Sequence, residues 1–188
     1  MNLFHRWCCA SKGWARTVQE HMMPGVVGDK TLGDDVLEIG PGPGLTTDWL
    51  RERVPALTAV EVDHKLAKAL KERLKGTNVT VVHGDATQMP FPDDSFTSAV
   101  CFTMLHHVPS KKLQNELLKQ TYRVLQPGGA FIGSDSTPNL RWNLAHIGDT
   151  RVPVKPEKFA KRLEDAGFVD AKVRRGPGPY FSFMARKP

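Results

Sequence analysis

The chain has 188 residues, 40% of them hydrophobic and 24% charged, with a formal net charge of +6. This length suits one domain with a single core, and this composition excludes collagen-like, low-complexity and wholly disordered chains. No apolar stretch reaches the roughly 18 to 20 residues of a membrane-spanning helix, and no N-terminal run is long enough for a secretory signal, so we expect no transmembrane segment and a cytoplasmic protein.

Short β-type apolar runs alternate with longer helical runs, a pattern typical of a parallel sheet covered by helices. The predicted strands, in chain order, are 36–40, 57–62, 79–82, 98–104, 130–134, 171–174 and 180–185. The predicted helices are 46–54, 65–74, 111–125 and 157–166. Only a Gly/Pro turn separates the last two strands, so they must pair antiparallel, because a parallel pair needs a long crossover. The predicted fold class is α/β: a Rossmann-like, seven-stranded, mostly parallel sheet with a C-terminal antiparallel hairpin and helices on both faces.

The run Gly40-Pro41-Gly42-Pro43-Gly44 joins the first predicted strand to the first predicted helix. Glycines at alternate positions let the backbone turn sharply and approach a ligand closely. The dinucleotide fingerprint G-x-G-x-x-G would need a third glycine at position 45, which is Leu, and no Gly-Lys-Ser/Thr of a P-loop follows. We therefore expect a ligand at this turn and disfavour NAD, FAD and P-loop nucleotides.

Two acidic residues near strand ends indicate that the ligand is a nucleoside. Glu61 comes about twenty residues after the glycine turn, where a carboxylate can accept both hydroxyls of a ribose. Asp85 follows the third strand, where it can accept a hydrogen bond from an exocyclic amine such as that of adenine. Each residue alone is a weak signal, because acidic residues end many strands.

Six ordered motifs together resemble a class I S-adenosylmethionine-dependent methyltransferase, in particular the broad small-molecule type 11 methyltransferase domain. The motifs are 36–44, Glu61, 84–86, 90–96, 105–108 and 124–129. The resemblance implies S-adenosylmethionine as cofactor, S-adenosylhomocysteine as product and a small-molecule or lipid-like acceptor. A partial similarity to ribosomal-RNA adenine dimethylases lacks their Asn-Pro-Pro-Tyr type motif, so nucleic acid is a disfavoured acceptor.

The family's cofactor-binding positions fall on Glu38, Gly40, Gly42, Gly44, Glu61, Asp85 and Ala86. Glu61 matches the ribose-binding acid, Asp85 and Ala86 match the adenine-contacting pair, and the others match the loop under the methionine and sugar portions. Thr97 stands where the subgroup commonly has Asp, at a position that is structural in the family. The resemblance implies one methyltransferase domain over residues 1–188, with an N-terminal lid or substrate segment (1–35), a cofactor-binding core (36–136) and a substrate-side loop, helix and hairpin (137–188).

Methyl transfer from a sulfonium needs few catalytic side chains, because the protein mainly aligns a nucleophile and excludes water. His106 and His107 follow the fourth predicted strand and are candidate general bases, since imidazole titrates near neutral pH. The plainer interpretation is that one histidine packs or caps a loop while the other faces solvent.

Three further residues are candidate acceptor contacts. Asp135 and Ser136 follow the fifth predicted strand at the edge where open α/β sheets bind ligands, although Asp135 equally suits a turn-fixing role. Trp142 and other aromatic residues such as Trp14 could line an apolar acceptor pocket, although aromatic side chains more often belong to the core.

The charge distribution keeps an alternative open. Residues 151–188 carry 10 Lys and Arg against 4 Asp and Glu, whereas residues 1–150 carry 16 of each sign. A basic face attracts nucleic acid or anionic lipid, so one alternative is a methyltransferase of such acceptors guided by this region; the plainer interpretation is a solvated surface. The others are a non-catalytic module that binds S-adenosylmethionine or S-adenosylhomocysteine and, least favoured, a nicotinamide oxidoreductase.

The three cysteines do not suggest a disulfide framework or a metal site. Cys8 and Cys9 are neighbours and Cys101 lies inside an apolar run, so we expect reduced thiols. No Cys/His spacing typical of a zinc site occurs, and we expect no metal.

Overall fold

Seven strands form one sheet in the computed structural model, which describes residues 11–138, 148, 150–176 and 178–188. In chain order the strands are β1 (Asp35–Ile39), β2 (Ala56–Glu61), β3 (Val79–His83), β4 (Phe96–Phe102), β5 (Leu125–Ser136), β6 (Val169–Arg175) and β7 (Tyr180–Arg186). They lie in the order β3-β2-β1-β4-β5-β7-β6, and β7 runs antiparallel to the other six strands. The predicted fold class is confirmed, including the C-terminal antiparallel hairpin.

The helices flank this sheet. They are α1 (Lys12–Thr17), α2 (Met23–Val26), α3 (Leu45–Leu50), α4 (His64–Arg73), α5 (Lys111–Val124) and α6 (Pro156–Asp165), with a π-helical turn (Val18–Met22) between α1 and α2. The predicted helix 46–54 ends early, at Leu50, ahead of Pro55, which has no N–H to continue a helix. None of the described helices is long and apolar enough to cross a membrane.

Alternate residues of the central strands pack into two apolar layers on opposite faces of the sheet. Val100 and Ile132 face the layer formed by the N-terminal helices and α3, whereas Cys101 and Phe131 face the layer formed by α5 and α6. Fully burying a side chain such as Phe131 contributes roughly 1.5–3 kcal/mol. Cys101 is a buried free thiol, and burial raises its pKa well above the ordinary value; Cys8 and Cys9 lie outside the described residues.

Thr97 connects two segments at the amino edge of the sheet, opposite the glycine turn. Its hydroxyl lies 2.9 Å from the carbonyl oxygen of Asp35 and 3.1 Å from that of Leu32. These contacts tie the chain entering β1 to β4, which is the structural role expected for this position.

Candidate active site

A cavity of about 1230 Å³ opens at the carboxyl edge of the sheet. It is lined by the glycine turn after β1, by the ends of β2 and β3 and by the loop after β4. Residues of α1, of the π-helical turn and of the start of β7 also line it. Pockets for a single drug-sized ligand measure ~300–1,000 Å³, so this cavity has room for two small molecules.

The glycine turn presents its middle glycine to the cavity. Gly42 has φ +56°, and a Cβ built there would have no atom within 4 Å. Gly44, at φ +89°, faces the other way, because its Cβ would lie 2.4 Å from Cδ1 of Leu70 in α4. Gly40 and Gly42 line the cavity, whereas Gly44 packs the turn against α4. Cofactor binding by these glycines stays a prediction.

Glu61 connects the end of β2 to the glycine turn. Its Oε2 accepts a hydrogen bond from the backbone N–H of Gly42 at 3.0 Å, and its Oε1 accepts one from the N–H of Asp63 at 2.9 Å. A carboxylate offers about four lone-pair sites, so two of these remain for a ligand. Glu61 also lines the cavity.

Glu38 lies below the turn and outside the cavity lining. Its carboxyl group accepts hydrogen bonds from the hydroxyl groups of Thr46 and Thr47, the latter at 2.6 Å. Burial raises the pKa of Glu38 to about 7, against the lowering effect of the two hydroxyls. Glu38 thus fastens the start of α3 to β1, and its place among the predicted cofactor contacts is an indirect one.

Residues that follow β3 line another part of the cavity. Asp85 lines the cavity and accepts a hydrogen bond from the N–H of Thr87 at 2.8 Å, capping the short 3₁₀ turn Ala86–Gln88. Ala86 lines the cavity beside it. Val62, directly after β2, is 65% exposed despite its large apolar side chain, and it also faces this cavity.

His106, in the loop after β4, and Asp135, in β5, form a buried pair. Nδ1 of His106 lies 2.5 Å from Oδ1 of Asp135, and the backbone N–H of His106 donates to Oδ2 at 3.1 Å. The ring of His107 lies 4.2 Å from that of His106, centroid to centroid, and its Nδ1 is 3.3 Å from the carbonyl oxygen of Thr150. Both histidines line the cavity.

Asp135, a predicted acceptor contact, lies within β5 and does not line the cavity. The sequence places it after a strand ending at position 134, but β5 continues to Ser136 and pairs Asp135 with Phe181. Within the strand, its side chain points away from the face of Ser136; it is 0% exposed and outside the cavity lining. Its contacts are with His106 and with the N–H of Ser136, at 2.7 Å.

Several apolar side chains also line the cavity. Ser136 lines the cavity as expected, and Trp14 does as well, while Trp142 lies outside the described residues. Met22, Phe102 and Tyr180 line the cavity too, without having been singled out in the sequence. Tyr180 pairs with Ser136 in the antiparallel β5–β7 register. Tyr180 could have been predicted at the cavity only from this register.

Gln114 is a further residue that sequence reasoning missed. It is buried in α5, and its Nε2 donates to the carbonyl oxygens of Leu105 at 3.0 Å and Val152 at 2.8 Å. Its Oε1 accepts from Arg162 at 2.9 Å. These bonds fix the loop that carries the two histidines.

Comparison with known proteins gives concordant matches. Residues 37–133 match the family model described as a methyltransferase domain. The chain is 33% identical over 151 residues to 2-methyl-6-phytyl-1,4-hydroquinone methyltransferase 2, chloroplastic, of Oryza sativa, covering 77% of this chain and 42% of that protein. It is 30% identical over 159 residues to demethylmenaquinone methyltransferase of Listeria welshimeri, covering 78% of this chain and 65% of that protein.

The match therefore spans about two fifths of the length of the first relative and about two thirds of the second. Among solved structures, it is similar to phosphoethanolamine N-methyltransferase 2 of Haemonchus contortus in complex with S-adenosyl-L-methionine. The TM-score is 0.74 at 15% identity, covering 98% of this chain and 56% of that one. At this identity the similarity shows a shared fold.

Proposed function

Since the chain belongs to the methyltransferase-domain family, we propose that it transfers a methyl group from S-adenosylmethionine to a small-molecule or lipid-like acceptor. The observation that carries the proposal is the hydrogen bond between the N–H of Gly42 and the carboxylate of Glu61 at the cavity wall. This hydrogen bond holds the glycine turn next to a carboxylate that has lone pairs left to accept from a ligand. One ligand can therefore contact both groups. In this proposal residues 36–136 hold the cofactor, and 1–35 and 137–188 form the acceptor side of a single domain.

The residues around the cavity fit the parts of this cofactor. Gly42 leaves the turn open, and Glu61 has lone pairs for the ribose hydroxyls. The exposed side chain of Val62 offers an apolar surface to a flat base, which explains why a large apolar group stands uncovered. Asp85 and Ala86 lie beside it for the adenine edge. When bound, S-adenosylmethionine supplies an electrophilic methyl group on a sulfonium sulfur.

We assign the general-base role to His106 for acceptors that carry a hydroxyl. The carboxylate of Asp135 accepts from Nδ1–H, so Nε2 is the basic nitrogen of the neutral ring. With S-adenosylmethionine bound, Nε2 would take the hydroxyl proton as the acceptor oxygen bonds to the methyl carbon. The bond from that carbon to sulfur would break in the same step, and S-adenosylhomocysteine would leave. The buried carboxylate stabilises the imidazolium that results, as in other carboxylate–imidazole pairs. His107 is the alternative base.

The cavity wall also supports an aromatic or lipid-like acceptor. Trp14, Met22 and Phe102 supply apolar surface, and Ser136 and Tyr180 supply hydroxyl groups for the polar end of the acceptor. The names of the two relatives refer to a hydroquinone and to a demethylated menaquinone. A reduced quinone ring has both an aromatic body and a hydroxyl group, and it is the acceptor to try first.

The test is methyl transfer from S-adenosylmethionine labelled in its methyl group. We expect labelled product with 1,4-naphthohydroquinone under reducing conditions, together with S-adenosylhomocysteine in equal amount. The Glu61→Gln variant should require a higher cofactor concentration for the same rate. Binding of S-adenosylhomocysteine without transfer to hydroquinones, catechols or a lipid extract would instead indicate a non-catalytic binding module.

A further inference from the structure

The charged residues of the C-terminal region, 151–188, are distributed unequally between the two edges of the sheet. Because β7 is antiparallel to β5, Tyr180 pairs with Ser136 at the carboxyl edge, where the cavity opens. Strand β6 ends at the same edge, since Arg175 pairs with Phe181. The start of β6 lies at the amino edge, where Val169 pairs with Arg186.

Five cations lie at the carboxyl edge, and we call them the basic rim: Arg151, Lys155, Lys158, Arg174 and Arg175. An ion pair between Glu157 and Arg175 joins the start of α6 to the end of β6, which brings Lys155 and Lys158 to this edge. Arg151 follows Thr150, a residue of the cavity wall. The rim therefore borders the mouth of the cavity.

The acidic residues of the same region lie elsewhere. Of its four acids, Glu157 alone is at the rim, and the other three are Glu164, Asp165 and Asp170, at the end of α6 and the start of β6. Two cations toward that edge have carboxylate partners: Lys161 lies 2.8 Å from Asp165 and Lys187 lies 2.6 Å from Asp94. Arg186 instead donates to the carbonyl oxygen of Gly128. The rim thus carries five cations against one acid, and the rest of the region carries five cations against three acids.

Among the described residues, three rim side chains lie within ion-pair distance of no carboxylate, although Lys155 interacts electrostatically with Glu157. Within the described part of the chain, Lys155, Lys158 and Arg174 are exposed and lie in no ion pair. Like charges gathered on one surface repel one another. A bound anionic surface would remove this repulsion.

We propose that the basic rim docks this protein on an anionic lipid membrane, with the mouth of the cavity facing the lipid. The inference rests on the proposed function, because a lipid-like acceptor would then enter the cavity without crossing water. Trp14 and Tyr180 at the cavity wall fit this orientation, since both residue types favour the membrane–water interface. The apolar lining by Met22 and Phe102 favours lipid over nucleic acid as the partner.

The test uses cosedimentation of the full chain with two kinds of vesicle, phosphatidylcholine containing phosphatidylglycerol and phosphatidylcholine alone. We expect binding to the anionic vesicles at low salt, weakening steeply as salt rises. The triple variant Lys155→Gln/Lys158→Gln/Arg174→Gln should bind on the order of 100-fold more weakly, since each basic residue near such a surface contributes roughly fivefold.

The matched control removes three exposed lysines at the β3 end of the sheet: Lys68→Gln/Lys71→Gln/Lys75→Gln. Its binding should fall far less than that of the rim variant. Equal losses in the two triple variants, or no binding of the unaltered protein to anionic vesicles at low salt, would overturn the proposal. Rim-dependent binding to random single-stranded RNA without vesicle binding would assign the rim to nucleic acid and overturn it as well.

Titration with S-adenosylhomocysteine separates this proposal from the proposed function. The rim variant should bind S-adenosylhomocysteine as the unaltered protein does, because none of its three positions lines the cavity. If rim-dependent vesicle binding occurs but S-adenosylhomocysteine does not bind, the docking surface stands and the proposed function fails. If S-adenosylhomocysteine binds and the vesicles do not, the docking surface alone fails.

Discussion

Oδ1 of Asp135 lies 2.5 Å from Nδ1 of His106, and Oδ2 accepts a hydrogen bond from the backbone N–H of His106. The two residues are 29 positions apart in the sequence. The side chains are 0% and 2% exposed, respectively. The parallel pairing of β4 with β5, in which Phe102 lies opposite Ser134, brings them together. A buried carboxylate on one ring nitrogen fixes the orientation of the imidazole beside the cavity.

Replacing Asp135 should therefore impair the chemical step rather than binding. We expect Asp135→Asn to lower kcat with 1,4-naphthohydroquinone by about 10²- to 10³-fold, the scale of general-base effects. The affinity for S-adenosylhomocysteine and the KM of the acceptor should stay within about twofold. Steady-state kinetics together with calorimetry give both quantities.

The control for this prediction is the double variant with His106→Gln. If Asp135 acts through His106, adding Asp135→Asn to His106→Gln should cost little more activity. Independent, multiplying losses, or a loss confined to KM, would contradict the positioning role.

Two glycines of the turn should respond differently to alanine. Both have positive φ, which costs an L-residue on the order of 1 kcal/mol. Gly44→Ala also drives a Cβ to 2.4 Å from Leu70, which adds roughly 1–3 kcal/mol of overpacking. Urea unfolding should therefore show Gly44→Ala to be clearly less stable than Gly42→Ala.

Gly42→Ala should instead affect ligand binding, because its new methyl group enters the open space of the cavity. We expect its affinity for S-adenosylhomocysteine to fall by at least about tenfold, equivalent to ~1.4 kcal/mol. Unchanged affinity would show that the ligand does not approach this turn.

The buried carboxyl group of Glu38 should make stability depend on pH. Its pKa is about 7 in the folded chain against an ordinary 4.5, so the folded state binds the proton more tightly than the unfolded state. This contribution is fully present below the ordinary pKa and is lost as the pH rises through about 7, by about 3 kcal/mol in total. The free energy of unfolding should fall accordingly.

Glu38→Gln provides the comparison, since the amide keeps the shape and does not titrate. Relative to this variant, the unaltered protein should lose stability between about pH 5 and about pH 8. A difference in unfolding free energy that is the same at both pH values would refute the raised pKa.

Trp14 should contribute to the acceptor side of the cavity only. Trp14→Ala removes a large apolar surface from that wall, so we expect the KM for 1,4-naphthohydroquinone to rise by about tenfold or more. S-adenosylhomocysteine affinity should change by less than about threefold. If the affinity for S-adenosylhomocysteine falls as much as the KM for 1,4-naphthohydroquinone rises, Trp14 contacts the cofactor instead.

Most of the strands were predictable because they are short apolar runs bounded by turn residues. The candidate residues follow the carboxyl ends of parallel strands, which meet at one edge of the sheet. The N-terminal helices were not predicted, because their buried residues Val18, Met23 and Val27 are spaced by five and then four positions. The π-helical turn, in which the N–H of Met23 bonds to the carbonyl of Val18, hides the ordinary helical period.

Local motifs likewise indicated the nucleoside side of the cavity, since Gly42, Glu61 and Asp85 all lie within a few residues of a strand end. The His106–Asp135 pair was not predictable, because it depends on β5 continuing to Ser136 and on its register beside β4. Such contacts between distant segments carry no local sequence signal.

Calorimetric titration of the unaltered chain and of Glu61→Gln with S-adenosylhomocysteine tests the account most directly. We predict a saturable heat with one site per chain for the unaltered protein. Glu61→Gln should bind at least about tenfold more weakly, since hydrogen bonds to a charged group contribute roughly 1.5–3 kcal/mol. No heat from the unaltered protein, or equal affinity in the two proteins, would contradict an adenosine site built on Gly42 and Glu61.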